Sequence, residues 1–175
     1  MAISVIKYTP EYRKKGDANI ADFDCRNSEI NSLFRKKLDT LPTTTYFFID
    51  KSAGDKIIAF VSFCASSIQM KQKGKQAFPA VELKLFAVDK AYQNSWFEMN
   101  GQTYKYSEIA FEWLLSYIKQ MVKPVLHVEY IVLCSVPDVN TRKFYEKMNM
   151  QYFTSNESLH EDNLSDGCIP MYLKL

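Results

Sequence analysis

The stretch whose residue types and spacing best suit chemistry begins as a strand at Val81 and continues as a helix from about Ser107. Val81–Asp89 alternates apolar and polar residues before three consecutive apolar ones, which is typical of a strand entering a buried region. Ser107 is predicted to cap the helix, and Glu108 lies in the first turn, where a negative charge is favourable. Because the first N–H groups of a helix are free to bind anions, this pattern predicts a phosphate site.

Three pieces of the chain resemble the GCN5-related N-acetyltransferases. Leu85–Asp89 with Tyr92-Gln93 resembles that family's central strand and its exit, and Asn140–Met150 resembles its late helix and following turn. Phe23-Asp24-Cys25, followed by Ile30–Leu33, is similar to the N-terminal helix of a subgroup that includes acetyltransferase toxins. The pieces occur in the family's order and span most of the chain.

The resemblance implies a mixed α/β fold, with a central sheet of about six to seven strands flanked by helices and splayed between its fourth and fifth strands. On length, the chain is expected to be one domain over residues 1–175. The implied activity is an acetyl-CoA-dependent N-acetyltransferase in which the acceptor amine attacks the thioester directly within a ternary complex.

The resemblance also assigns roles to individual residues. Tyr145 matches a tyrosine that lies near the cofactor sulfur and protonates the leaving thiolate, which a phenol can do. Asn140 matches a residue that hydrogen-bonds the pantetheine arm or diphosphate region, and it also suits a helix N-cap. The main chain of Phe86, Ala87 and Val88 matches the strand end that pairs with the pantetheine amides.

Glu82 is the candidate base, because an acyl acceptor must be a neutral amine and several relatives have a glutamate on this strand. Glu82 and Tyr145 also each have a purely structural interpretation. Glu82 also fits a half-exposed strand glutamate paired with a lysine, and Tyr145 a packed helix tyrosine whose hydroxyl stays in water. His127, at a predicted strand start, is expected to be structural.

The chain departs from the family in the diphosphate loop. Gln93 fills the first position of the family's loop, but Trp96 and Glu98 stand where glycines let main-chain N–H groups close on the diphosphate. About ten residues, 96–105, precede the helix at Ser107. Either this longer loop bulges outward and still presents the helix end to acetyl-CoA, which we favour, or the diphosphate site is lost.

The acceptor is open between a small molecule, a protein and aminoacyl-tRNA. A tRNA acceptor would draw on the basic residues of 35–37 and 71–75. The alternative is a degenerate acetyltransferase-like domain that senses a ligand or binds proteins without catalysis. Its aromatic 96–106 segment would then serve as a partner or homodimer surface.

Composition limits the other functional classes. Apolar residues make up 47% of the 175 residues and the net charge is only +2, so disorder and a broad nucleic-acid surface are not expected. No apolar run approaches a membrane span and no signal-peptide core is present, which predicts a soluble cytoplasmic protein.

The four cysteines form no CxxC pair and are expected to be reduced thiols. No metal site is expected, since the two histidines are far apart.

The remaining patterns predict the other elements. Strands are expected at Ser4–Tyr8, Thr43–Asp50, Lys56–Ile68, Val125–Ser135, Gln151–Thr154 and Cys168–Leu175, helices at about 28–41 and 140–148, and loops at Thr9–Ala21, Gln69–Ala77 and Ser155–Gly167. Asn149 is expected to take the left-handed position after the second of these helices.

Overall fold

Strands from the whole length of the chain form one mixed sheet in the computed structural model, which describes residues 3–70, 76–99, 101–154, 157–159 and 167–175. The strands are β1 (Ile3–Lys7), β2 (Thr44–Asp50), β3 (Lys56–Met70), β4 (Gln76–Val88), β5 (Trp96–Met99), β6 (Gln102–Lys105), β7 (Tyr130–Ser135), β8 (Gln151–Tyr152), β9 (Glu157–Leu159) and β10 (Ile169–Lys174). The helices are α1 (Pro10–Asp22), α2 (Ser28–Lys36), α3 (Tyr106–Tyr117), α4 (Lys123–Leu126) and α5 (Val139–Lys147).

The sheet has the strand order β1-β2-β3-β4-β7-β10-β8, and β9 is joined to β3. Pairs β1–β2, β3–β9, β7–β10 and β8–β10 are antiparallel, whereas β4 and β7 are parallel. Helices flank this mixed sheet, so the predicted fold class is confirmed. None of the described helices combines the length and the apolar composition needed to cross a membrane.

The density of internal packing divides the chain into two compact units. The first contains the residues up to Ser62 together with Leu85–Leu114, and the second contains Phe63–Lys84 and Leu115–Leu175. Each unit has its own buried apolar cluster. The prediction of a single domain stays a prediction.

Stacked phenylalanine rings dominate the core of the first unit. The ring centroids of Phe34 lie 4.4 Å from Phe60 and 4.6 Å from Phe23, and all three side chains are almost wholly buried. The cluster also contains Ile20, Cys25, Leu38, Phe47, Ile49, Ile57 and Ala87. Aromatic side chains bury large areas, and tilted ring pairs add about 1 kcal/mol each, so this cluster is the main stabilising feature of the unit.

The expected loop at Thr9–Ala21 is wrong, because this segment is helix α1. The Thr9 side chain caps it by accepting a hydrogen bond from the Tyr12 N–H at 3.2 Å, and Pro10 takes the first helical position. Thr-Pro is a recognised helix-start signal. The helix was not predicted, because the residues that follow Pro10 are mostly polar and show little apolar periodicity.

Helix α2 begins as predicted. The Asn27 side chain caps it by accepting from the N–H groups of Glu29 and Ile30, both at 3.0 Å. The helix ends at Lys36, and a short 3₁₀ turn, Leu38–Thr40, covers the rest of the predicted span. The strands expected on either side of the following turn are confirmed as β2 and β3, and Gly54 at φ +70° makes that turn.

The segment expected to be a loop at Trp96–Lys105 is a β-hairpin. β5 and β6 pair antiparallel, with Trp96 opposite Lys105 and Phe97 opposite Tyr104, and Gly101 lies in the connecting turn at φ +75°. Helix α3 starts at Tyr106, so Ser107 is its second residue and not its cap, which corrects the prediction.

The strand predicted from Val125 is wrong over its first half. After a π-helical turn at Ile118–Val122, helix α4 runs from Lys123 to Leu126, and β7 starts only at Tyr130. His127 is therefore not a strand residue. It ends the helix in the left-handed conformation at φ +49°, and its N–H donates to the Lys123 carbonyl at 2.8 Å.

Helix α5 is found where it was expected, but Asp138 is its cap. The Asp138 carboxylate accepts from the Thr141 N–H at 2.7 Å, and Asn140 lies one residue inside the helix, so the N-cap prediction for Asn140 is wrong. Asn149 takes the predicted left-handed conformation at φ +62°.

Strand residues occur within both segments that were expected to be loops, 69–77 and 155–167. β3 continues to Met70 and β4 begins at Gln76, while the basic residues 71–75 lie outside the described residues. β9 within the second segment pairs with the end of β3, and residues 155–156 and 160–166 lie outside the described residues. The second unit's apolar cluster is Ile68, Phe78, Ala80, Tyr130 and Val132.

The prediction of four reduced cysteines is wrong for two of them. Cys134, near the end of β7, and Cys168, just before β10, form a disulfide with their Cα atoms 5.5 Å apart. The two strands pair antiparallel, with Cys134 opposite Pro170, so the fold brings these cysteines together across 34 residues of chain. Cys25 and Cys64 are free.

We expect Cys134→Ser to lower the free energy of unfolding by about 2–4 kcal/mol, because a crosslink that closes a loop of this length restricts the unfolded chain. Urea unfolding with and without dithiothreitol measures the effect. Cys64→Ser, which removes a free thiol, is the matched control. Equal stability of wild type and Cys134→Ser under non-reducing conditions would contradict the bond's contribution.

Candidate active site

The Phe23-Asp24-Cys25 motif is fixed to the exit of β4 within the first unit. The N–H of Asp24 donates to the Asp89 carboxylate at 3.0 Å, and the N–H of Lys90 donates to the Asp24 carbonyl at 2.7 Å. The Phe23 ring enters the core beside Phe34, and its carbonyl accepts from the Arg35 guanidinium at 2.7 Å. This motif therefore locks the N-terminal helices onto the strand that the resemblance assigns to the cofactor.

The Asp24 carboxylate gathers three donors. Lys90 Nζ lies 2.9 Å from Oδ2, and the Asn31 amide and the Arg26 N–H each donate to Oδ1 at 2.8 Å. These hydrogen bonds, with Lys90 the largest contributor, hold the pKa of Asp24 well below its ordinary value. The same Asn31 side chain accepts from the Cys25 N–H at 2.9 Å, so one amide fastens helix α2 to the motif.

Asp89 is the buried centre of this arrangement. It is 2% exposed, and besides Asp24 it accepts from the Ala91 N–H at 2.9 Å, while Lys56 Nζ lies 3.9 Å away. Its carbonyl accepts from the N–H groups of Tyr92 and Gln93. A buried carboxylate is tolerated only when it is hydrogen-bonded and paired, and Asp89 meets that condition.

Gln93, a predicted cofactor-binding residue, uses its side chain within the fold. Its amide group donates to the carbonyl of Cys25 at 3.1 Å and to that of Val88 at 2.9 Å. The amide thus links the Phe23-Asp24-Cys25 motif to the end of β4. Nothing in the sequence distinguishes this use of a glutamine from a contact with a cofactor.

Main-chain donors in the turn after β4 are already engaged. The N–H groups of Tyr92 and Gln93 donate to the Asp89 carbonyl, and the Ser95 N–H donates to the Tyr92 carbonyl. Asn94 adopts the left-handed conformation at φ +60°, which otherwise favours glycine. The turn is therefore tight without glycine, and the N–H groups of Tyr92, Gln93 and Ser95 are engaged by its carbonyls.

Aromatic rings anchor the β5–β6 hairpin to its surroundings. The Tyr106 ring lies 5.0 Å from those of Phe97 and Tyr92, and the Tyr92 hydroxyl donates to Asp50 at 3.3 Å. Burial, together with the Asp50 carboxylate, raises the pKa of Tyr92 to about 12. Glu98 is exposed, on the hairpin face opposite Phe97.

The predicted pantetheine-binding strand end lies past the parallel ladder. That ladder pairs Ala80–Leu83 of β4 with Tyr130–Leu133 of β7, and Phe86, Ala87 and Val88 follow farther along β4. Ala87 and Val88 are buried, and the Val88 carbonyl already accepts the Gln93 amide.

Glu82 lies in the second unit as one of its buried charged groups. It is 4% exposed, with the Lys84 ammonium 2.6 Å from Oε1 and the Ser66 hydroxyl donating to Oε2 at 3.2 Å. The free thiol of Cys64 lies in the same environment. Its pKa is raised mainly by burial and, to a lesser extent, by the negative charge of Glu82. The lysine pairing given as the structural alternative for Glu82 is found, but the glutamate is buried and not half-exposed.

Tyr145 also lies in the second unit, on α5. It is 7% exposed, its ring centroid is 5.3 Å from that of Phe144, and burial raises the pKa of its phenol well above the ordinary value. The structural alternative for Tyr145 combined packing with a hydroxyl in water, whereas the side chain is buried. Asn140, near the start of the same helix, is exposed. No cluster of three or more metal-ligating side chains occurs within the described ranges.

Comparison with known proteins gives structural neighbours only. No family model and no curated protein matches the chain. A bacterial toxin superposes with a TM-score of 0.74 at 17% identity, covering 99% of this chain and 90% of the toxin. A mutant of the toxin AtaT, bound to acetyl-CoA and the C-terminus of the antitoxin AtaR, gives 0.68 at 12% identity over 99% and 94%. AtaT complexed with acetyl-methionyl-tRNAfMet gives 0.65 at 13% identity over 99% and 95%.

Similarity at this level of identity establishes the fold. The chain has the GCN5-related N-acetyltransferase fold in the form found in these toxins, as the sequence resemblance predicts.

The Asp24 site gives a pH-dependent prediction. Because the folded-state pKa of Asp24 is lowered, the stability it contributes is present above the ordinary carboxyl range and is lost as the pH falls below about 4. We expect Asp24→Asn to be less stable than wild type at pH 7, with the difference shrinking towards pH 3. Thermal unfolding across this range measures it, with the exposed Asp22→Asn as control. A difference that grows on acidification would contradict the assignment.

Proposed function

We propose that the chain is an acetyl-CoA-dependent N-acetyltransferase that transfers an acetyl group to an amine by direct attack within a ternary complex. The observation that carries the proposal is Tyr145. Its phenol is buried on the late helix of an acetyltransferase fold, and a phenol, whose ordinary pKa is about 10, carries its proton at neutral pH. A proton held there suits a general acid for a leaving thiolate.

The residues fit acetyl-CoA at its acyl and pantetheine end. Phe86, Ala87 and Val88 lie beyond the β4–β7 ladder, so their main chain suits sheet-like pairing with the pantetheine amides. In the turn after β4, the N–H groups of Tyr92, Gln93 and Ser95 already donate to carbonyls of the turn. Ser107, in the first turn of α3, has a position where a helix end favours an anion. In this proposal Gln93 supports the strand end, and Asn140 faces solvent near the start of α5.

The transfer requires two proton movements. The amine nitrogen attacks the thioester carbon, the carbon–sulfur bond breaks, and Tyr145 gives its proton to the sulfur, later regaining one from solvent. Glu82 accepts the proton that the amine loses, directly or through water. Its carboxylate pairs with the Lys84 ammonium and accepts a hydrogen bond from the Ser66 hydroxyl.

The acceptor carries an amine, and aminoacyl-tRNA is the acceptor class that the AtaT complex suggests. The basic segment predicted to attract RNA is only partly available, because the Arg35 guanidinium binds the Phe23 carbonyl. Lys36 and Lys37 are exposed and remain candidates for phosphate contacts. A small-molecule or protein amine would show little dependence on salt, whereas an RNA acceptor would show a strong one.

A second candidate function follows from the closed turn after β4. Since the N–H groups of this turn and the Gln93 amide are engaged within the fold, the domain could have lost the diphosphate site. It would then act as a ligand-sensing or protein-binding module, or associate with a second copy through its aromatic hairpin. Failure of the wild-type protein to bind CoA at millimolar concentration would favour this candidate.

We expect Tyr145→Phe to lower kcat by about 100-fold or more while the affinity for acetyl-CoA stays within a factor of three, because only the proton donor is lost. Release of the CoA thiol, measured with a panel of aminoacyl-tRNA, a polyamine and a lysine peptide, gives kcat. Calorimetry gives the affinity. Tyr152→Phe, at an exposed tyrosine on β8, is the matched control. An unchanged kcat with intact binding would remove Tyr145 from the mechanism.

We expect Glu82→Gln to lower kcat/KM for the amine by about 100-fold, because the neutral amide cannot accept a proton. Lys84→Met is the informative comparison, since it breaks the same ion pair but leaves the carboxylate. If Glu82 only balances the lysine, both variants will lose similar stability in urea unfolding and neither will lose its catalytic rate.

A further inference from the structure

The β5–β6 hairpin presents a tryptophan where the chain lacks a glycine loop. Trp96 is 53% exposed, although a ring of this size is normally mostly buried. It begins β5 directly after the closed turn, and its partner across the hairpin, Lys105, immediately precedes α3. The pair therefore lies between the turn after β4 and helix α3, where the sequence resemblance places the family's diphosphate loop.

The tryptophan is fixed in place from two sides. On its own face, the Lys105 ammonium lies 4.9 Å from the ring centroid, a cation–π distance. On the opposite face of the hairpin, Phe97 packs 5.0 Å from Tyr106 and 6.0 Å from Tyr104. Because adjacent strand residues point to opposite faces, this packing holds the hairpin while leaving the Trp96 side outward.

This arrangement has the components of a nucleotide site. An exposed, rigid aromatic ring offers a stacking surface for a base, and such stacking is favourable for any base. The adjacent ammonium of Lys105 supplies positive charge for phosphate. Glu98 lies on the same hairpin face and would repel a phosphate, so the phosphate must lie towards Lys105, at the open end of the hairpin.

We propose that Trp96 and Lys105 bind the adenine nucleotide end of the acyl donor, replacing the main-chain anion nest with base stacking and a lysine. The inference rests on the proposed function, since it assumes that CoA is the donor. It follows from two observations taken together. The N–H groups of Tyr92, Gln93 and Ser95 in the turn are engaged, which favours another anchor for the nucleotide end, and the hairpin that follows carries an exposed ring beside a cation.

Tryptophan fluorescence provides a direct test, because the chain has only two tryptophans. Trp113 packs against Tyr46 and Phe48 with centroids 5.1 and 5.3 Å away, so Trp113→Phe leaves Trp96 as the sole reporter. We expect saturable quenching of this variant by CoA and by adenosine 3′,5′-bisphosphate, and none by pantetheine. Trp96→Phe should lose the quenching, with circular dichroism verifying that both variants are folded.

Calorimetry with CoA supplies the second measurement. We expect Trp96→Ala to weaken binding about 10-fold, the loss of one base stack. Lys105→Met should weaken it and reduce its salt dependence. Wild-type CoA binding that Trp96→Ala leaves within a factor of two would overturn this inference and leave the acetyltransferase proposal standing. Absence of CoA binding by wild type would overturn both, and quenching by an RNA oligonucleotide but not by CoA would overturn this one.

Discussion

The buried Asp89 carboxylate is the constraint on which the first unit depends. It cannot remain in the interior without partners, and the partners it takes come from separate parts of the chain: the Asp24 N–H, the Ala91 N–H and, at longer range, Lys56. These bonds fix the end of the central strand against the N-terminal motif. Any function of that strand end is therefore coupled to residues more than 60 positions away in sequence.

Gln93 adds a further link between the same two segments, and its role differs from the one that the family resemblance implies. A glutamine at the strand exit is a ligand-binding position by resemblance, yet here its amide hydrogen-bonds two carbonyls of the fold. The N–H groups of Tyr92, Gln93 and Ser95 are likewise hydrogen-bonded to carbonyls of the turn. A glycine-free turn can be tight because Asn94 accepts the left-handed conformation, but tightness without free N–H groups does not make an anion site.

The second unit buries Tyr145 and Glu82, the two residues to which the proposed mechanism assigns proton transfer. Burial raises the pKa of the Tyr145 phenol, and the Lys84 ammonium pairs with the buried Glu82 carboxylate. Both effects come from the exclusion of water, which strengthens the interactions of charges and hydrogen bonds that remain.

The sequence by itself determined most strands and helices α2, α3 and α5, because these follow from local periodicity, and the resemblance of its motifs implied the fold class. It did not determine α1, whose polar residues hide the helical period, or the hairpin, whose strands are short. Only the tertiary structure decided that Cys134 meets Cys168, that Gln93 is engaged within the fold and that Tyr145 is buried. These depend on contacts between residues distant in sequence, which no local pattern encodes.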